Sequence, residues 1–125
     1  METITSSGDI AALFDEGSWY KTPSVTLIVG HTAKRTADDK AEEHDLPGRV
    51  AFIAGKKGGN AVWRNAAKRR MRAICHDLGG PWQGYEVIFL AKRGITERPY
   101  QEVLDQCRKR ITSITRAKRA VKSGS

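Results

Sequence analysis

Between Lys56 and Arg72 the chain reads KKGGNAVWRNAAKRRMR, with seven Lys/Arg residues, a Gly-Gly pair and no acidic side chain. Side chains of this kind hold anions; they do not by themselves break bonds. From Leu46 to His76 there are eight Lys/Arg residues (Arg49, Lys56, Lys57, Arg64, Lys68, Arg69, Arg70, Arg72) and no Asp or Glu. The formal net charge of the 125-residue chain is +8, so this one segment equals the whole excess. Charge this concentrated points to a polyanion, with nucleic acid as the default.

Other chemistries find little support. The loop Lys56-Lys57-Gly58-Gly59 lacks the GxxxxGK[ST] spacing of a nucleotide-hydrolysing loop, and its lysines precede the glycines. No pair of carboxylates stands at a plausible two-metal spacing, and no nucleophile–base motif is present. His31 and His44 are not at metal-ligand spacing and read as loop residues. Cys75 and Cys107 stand 32 residues apart with no CxxC, which suits reduced core thiols. No apolar run approaches the roughly 18–20 residues that span a bilayer. The N-terminus has neither the basic nor the apolar region of a secretory signal. Length and a 39% hydrophobic content then predict one domain in the cytoplasm.

The elements that position the basic segment follow from pattern. Ile10, Leu13 and Phe14 share one face of a short first helix, with Ser7 or Asp9 as cap and Gly17 as stop. Val25–Val29 reads as a strand, with Trp19 to Lys21 as a short companion. Residues 31–48 read as a long polar connection with a helical turn near Asp39–Glu43. Arg49–Ala54 is a second clear strand. Asn60 caps a helix that runs to about Asp77, ahead of Leu78-Gly79-Gly80-Pro81. Glu86–Ala91 is the third clear strand. A last helix starts near Pro99 with the stripe Tyr100, Val103, Leu104, Cys107, Ile111 and Ile114. Residues 1–115 form the domain, and the basic tail 116–125 is predicted to be disordered.

At roughly 100° per residue, Arg64, Lys68, Arg72, Asn65, His76 and Arg69 fall within an arc of about 140°. Trp63, Ala67, Met71, Ile74 and Leu78 fall on the opposite side, which predicts a cationic face backed by a sheet-packing face. Arg70 lies off the cationic arc and reads as structural. Like charges at Arg64/Lys68 and Lys68/Arg72 repel at i,i+4, so an outside anion compensates. Gly58 and Gly59 permit positive φ and close backbone approach, and the helix N-terminus adds amide donors for a phosphate. A DNA-reading helix–turn–helix wants two consecutive helices. Here strands flank the basic helix, which favours RNA. A DNA-binding regulator and a ribosomal or assembly-type RNA-binding protein remain alternatives at this stage.

The stretch GKKGGNAVWRNAAKRRMR resembles the signature of the bacterial ribonuclease P protein subunit. There a lysine loop and Gly-Asn/Ser-Ala-Val lead into RN-x-x-KR-x-x-R. Arg64-Asn65, Lys68-Arg69 and Arg72 match it, following Lys56, Lys57, Gly59, Ala61 and Val62. The likeness extends over roughly residues 8–114, including a D-x-x-x-x-F-x-x-G pattern at Asp9, Phe14 and Gly17. It implies an α+β fold, a single-domain α-β-β-β-α-β-α sandwich with a left-handed βαβ crossover. It also implies an accessory subunit of an endoribonuclease that removes the 5′ leader of precursor tRNA. In that family the RNA subunit and its Mg²⁺ ions perform the hydrolysis, so the protein carries neither a catalytic residue nor a metal ligand. The implied partners are ribonuclease P RNA and precursor tRNA, with no membrane and no stable protein partner.

Carried over by position, Lys56, Lys57, Asn60, Arg64, Asn65, Lys68, Arg69 and Arg72 are implied RNA contacts. Ile10, Phe14 and Ile28 are implied to line a cleft for the single-stranded leader. The chain departs from the family at Ala66, where a third arginine is common, and at Ala73, often acidic or amide. Ile10 stands where an aromatic is frequent, which shifts leader stacking toward Trp19 or Tyr20. A basic N-terminal extension common in the family is missing, and the basic tail is a partial substitute.

Overall fold

The computed structural model describes the backbone over residues 3–31 and 48–123, and side chains over 3–31 and 48–115. The predicted connection at 31–48, with its helical turn and His44, otherwise lies outside the described residues. The element order is α1 (Ser7–Glu16), β1 (Ser18–Lys21), β2 (Val25–His31), β3 (Arg49–Ile53), α2 (Ala61–Asp77), β4 (Tyr85–Ala91) and α3 (Tyr100–Ser123). Two 3-10 turns, Lys56–Gly58 and Arg93–Thr96, follow β3 and β4. This is the α-β-β-β-α-β-α order expected from the sequence.

The four strands form one sheet in the order β1-β2-β4-β3. β1–β2 and β2–β4 pair antiparallel, while β3–β4 pair parallel and are joined by α2. Alternation along these β-branched runs gives the sheet two apolar faces. One face (Val25, Leu27, Val29, Val50, Val87, Phe89) is fully covered by α2 and α3, through Ala67, Met71, Ile74, Val103, Cys107 and Ile111. The other carries Ile28, Ala51 and Ile88 and is covered by α1 through Leu13, with Ile4 at its edge. Fully burying each such aliphatic side chain is worth about 1.5–3 kcal/mol.

α1 is seated at specific points. The Ser6 hydroxyl accepts from the Asp9 amide at 3.3 Å, so Ser6 caps the helix rather than Ser7 or Asp9. Ser7 is already inside the first turn. Leu13 fills the notch left by Gly30, where a Cβ would come within 2.4 Å of Leu13 Cδ2. Gly17 ends the helix as expected, with its amide donating to the Leu13 carbonyl at 2.8 Å. A side chain there would collide with Ile28 Cγ2 at 2.9 Å.

The backbone of α3 runs on to Ser123, past Ile114 where the apolar stripe ends. Ala, Lys and Arg are strong helix formers, and extending an existing helix requires no new nucleus. Apolar periodicity stops after Ile114, but helical propensity does not. Cys75 and Cys107 are buried free thiols under α2 and α3. Burial pushes both up to about 12 from an ordinary 9.0.

Candidate nucleic-acid interface

α2 begins as the sequence indicates. Asn60 Oδ1 accepts from the Trp63 amide at 3.0 Å, and the helix runs from Ala61 to Asp77. Ala67, Met71, Ile74 and Cys75 are buried, while Asn65, Lys68, Arg69 and Arg72 are exposed and Arg64 is half-buried. Among the described residues no carboxylate pairs with Arg64, Lys68, Arg69 or Arg72. Their positive charge is therefore available to an outside anion. Arg72 leans over Phe52 of β3, its guanidinium carbon 5.6 Å from the ring centre.

Arg70 and Arg49 are spent internally. Arg70 Nη1 donates to the carbonyls of Ile95 at 2.9 Å and Arg98 at 2.6 Å, and its guanidinium lies 5.8 Å from the Tyr100 ring centre. That agrees with the structural role read from its angle on the helix. Arg49, counted in the basic segment, instead bonds the buried carboxylate of Glu86 through Nε and Nη2 and reaches Asp9 at 3.4 Å. Burial alone depresses its pKa, but the two carboxylates outweigh this and hold the guanidinium above its ordinary value.

The glycines of the loop act differently from expectation. Neither Gly58 nor Gly59 takes a left-handed φ; among the described residues that conformation belongs to Gly79 and Gly84, both at 85°. Gly58 and Gly59 are small because the Trp63 side chain lies against them, within 2.2 Å and 2.8 Å of where a Cβ would be. Trp63 Nε1 also donates to the Arg93 carbonyl at 3.3 Å. One indole thus fixes the Lys56–Gly58 turn on one side and the Arg93–Thr96 turn on the other. Arg93, exposed and outside the basic segment of the sequence, thereby shares the Trp63 indole with the Lys56–Gly58 turn.

Strand register arranges the α1-covered face in three rows. The first is Gly30, Glu86 and Arg49; the second Trp19, Ile28, Ile88 and Ala51; the third Lys21, Thr26, Leu90 and Ile53. α1 sits over the first two. Ile28 is therefore 0% exposed, and the expectation that it lines a cleft is corrected: it is floor beneath α1, out of reach of a ligand. Ile10 and Phe14 lie half-buried on α1, packed against this cluster. Phe14 meets Trp19 edge-on with centroids 5.7 Å apart, and Trp19 Nε1 donates to the Phe14 carbonyl at 3.2 Å. Trp19 remains 45% exposed, so an aromatic edge stands open next to the third row.

The third row runs toward the charged residues. Leu90 and Ile53 are half-buried, and just beyond them the chain runs into Lys92-Arg93 and Lys56-Lys57. Lys92 Nζ donates to the Thr22 carbonyl at 2.7 Å, and Arg110 Nη2 to the Lys21 carbonyl at 3.2 Å, bracing the β1–β2 turn. Ile53, Leu90, Lys21, Lys92 and Arg93 were not singled out from sequence. The pairing of Ile53 and Thr26 with Leu90 was the missing information, although Ile53 and Leu90 stand at the ends of apolar runs that lead into basic pairs.

The family model described as Ribonuclease P matches residues 1–115. The chain belongs to the ribonuclease P protein family. Its relatives within that family include the ribonuclease P protein component of Streptococcus pyogenes serotype M5 (strain Manfredo). That protein is 30% identical over 95 residues, which cover 76% of this chain and 71% of the relative. The corresponding protein of Streptococcus pyogenes serotype M49 (strain NZ131) matches to the same extent. Among solved structures, the Staphylococcus aureus RNase P protein superposes with a TM-score of 0.70 at 16% identity, over 92% of this chain and 95% of that one. The Thermotoga maritima RNase P protein gives a TM-score of 0.63 at 16% identity, over 86% and 92%. At those identities the likeness is one of fold. No helix among the described residues is long and apolar enough to cross a membrane.

Proposed function

We propose that this ribonuclease P protein binds the catalytic RNA of its holoenzyme and the 5′ leader of precursor tRNA, promoting Mg²⁺-dependent leader removal. The observation that carries this reading is the junction of two surfaces. Ile10, Phe14 and Trp19 on one side and the half-buried Leu90 and Ile53 on the other are read as a groove, and the strands that carry Leu90 and Ile53 run on into Lys92-Arg93 and Lys56-Lys57. Unpaired nucleotides have exposed base faces and a charged backbone, and this junction offers a partner to each. Base–aromatic stacking is worth ~1–3 kcal/mol per base. The exposed face of α2, with Asn65, Lys68, Arg69 and Arg72, is assigned to the folded RNA subunit.

Hydrolysis is assigned to the RNA. Among the described residues no three His, Cys, Asp or Glu side chains gather as a metal cradle. The groups at the interface are cationic, which repels Mg²⁺ rather than holding it. The residues therefore do not fit the ion, and no step on the protein is drawn through it. What the protein contributes is neutralised backbone repulsion and a positioned leader.

The test is to add the purified chain to a cognate ribonuclease P RNA at low Mg²⁺ and to follow 5′ leader removal. Stimulated cleavage, with tighter binding of precursor than of mature tRNA, is the expected result. Binding of structured RNA without stimulation would point instead to a ribosomal or assembly-type protein and defeat the proposal.

A further inference from the structure

The first row of the α1-covered sheet face carries a charged chain of three side chains, none of them in the proposed RNA contacts. Glu86 on β4 has a side chain only 1% exposed, and Arg49 lies directly beside it in the parallel β3–β4 register. A carboxylate so deeply buried is costly unless it is paired, so it holds the Arg49 guanidinium in one orientation. Arg49 Nε donates to Glu86 Oε2 at 2.8 Å, and Nη2 serves both Glu86 and Asp9. Asp9 belongs to the first turn of α1. The chain of contacts therefore runs from the sheet core out to the N-terminal end of the helix that walls the groove.

Two further attachments of α1 lie along the same stripe. Leu13 sits over Gly30 and Gly17 against Ile28. With Asp9 they form a line, and rotation about that line is what moves the neighbouring stripe, Ile10 and Phe14, toward or away from the third row. Of these three attachments only Asp9–Arg49 is directional, and it holds the N-terminal end of α1, opposite the end where the Trp19 indole donates to the Phe14 carbonyl. Leu13 and Gly17 are close-packed but do not specify roll.

We infer that Asp9 and Arg49 are positioning residues that set the roll of α1, and with it the width of the groove offered to single-stranded RNA. The inference rests on the leader-binding reading above and adds to it a determinant outside the groove. It carries a sign that a simple charge effect does not. Asp9 is an acid near a polyanion site, so losing its charge would by itself tighten RNA binding. Loss of the brace weakens it.

The experiment uses the full chain assembled with a cognate ribonuclease P RNA, comparing wild type, Asp9→Asn and Arg49→Lys. Binding is measured for a precursor tRNA with a leader long enough to cross the groove and for one with a single-nucleotide leader. Asp9→Asn is expected to weaken the long-leader complex about threefold to tenfold, leaving short-leader binding and RNA-subunit affinity at wild-type levels. Arg49→Lys keeps the charge but not the fork, and is expected to give the same selective loss. If either variant melts early, the one that retains the wild-type melting temperature decides. Equal or tighter long-leader binding by a folded variant overturns the brace. Wild type that does not distinguish long from short leaders overturns the leader reading itself, a separate outcome.

Discussion

Gly58 lies flat against the indole of Trp63, so close that a Cβ on the glycine would stand 2.2 Å from Cη2 of the ring. The Lys56–Gly58 turn is thus shaped by a core-facing side chain one helical turn into α2. Gly58→Ala forces either the indole or the turn to move, and overpacking of this kind costs about 1–3 kcal/mol. The expected outcome is a loss of RNA affinity resembling that of Lys56→Ala with Lys57→Ala, although no charge has been removed. Filter binding alongside a thermal melt checks it; unchanged affinity would show that the turn's shape is unimportant.

Arg64→Ala combined with Lys68→Ala removes two neighbouring charges from the exposed face of α2. If each meets one phosphate, the slope of log K against log salt becomes shallower by about 1.4–1.8. The fold should be unharmed, since repulsion at i,i+4 is relieved. Affinity titrated across a salt series, with melting measured in parallel, gives both numbers.

Arg69 and Arg70 are adjacent, yet opposite effects are expected. Arg70→Ala removes the donor shared by the Ile95 and Arg98 carbonyls and a cation over Tyr100. It should cost about 1–3 kcal/mol of stability with RNA affinity preserved well below the melting temperature. Arg69→Ala should leave stability within about 0.5 kcal/mol and weaken RNA binding. Denaturant unfolding and RNA titration on both variants separate the two roles.

Cys75 and Cys107 are pushed up to about 12 by burial. The thiolate is the reactive form, and burial keeps both thiols protonated at pH 8 in the native state. The native protein should resist alkylation at pH 8 and react fully in denaturant. The pH sign follows from linkage. The native state holds these protons more tightly than the unfolded chain, so this stabilisation is complete below about pH 9. It is lost as pH rises toward 12. Melting temperature should fall between pH 8 and pH 10, and fall less when both cysteines are replaced by alanine.

Much of the interface could be read from local pattern because it is built from one helix. The Asn60 cap, the Asp77 end and the cationic arc of α2 all follow from residues a few positions apart. What escaped depended on distant pairs. Arg49 looked like one more cation in an acid-free stretch, but its partners Asp9 and Glu86 lie 40 and 37 residues away. Ile28 looked available to a ligand until α1 was laid over its row. The Gly58-Gly59 pair suggested unusual torsion angles, whereas the actual requirement is space for Trp63. The Arg93–Thr96 turn and the Lys56–Gly58 turn meet on the two sides of the Trp63 indole, a relation that sequence spacing does not encode.

The parallel pairing of β3 with β4 has an electrostatic consequence. Both strands end on the same side of the sheet, so Lys56-Lys57 and Lys92-Arg93 leave it together. Had the five-residue β3 run the other way, its exit would lie about 16 Å off, at the far end of the strand. At physiological ionic strength charges are screened over about 8 Å. The two basic pairs would then act as independent weak sites, each surrounded by its own counterions. Strand direction, set by the α2 crossover, lets them attract an approaching strand as a single source.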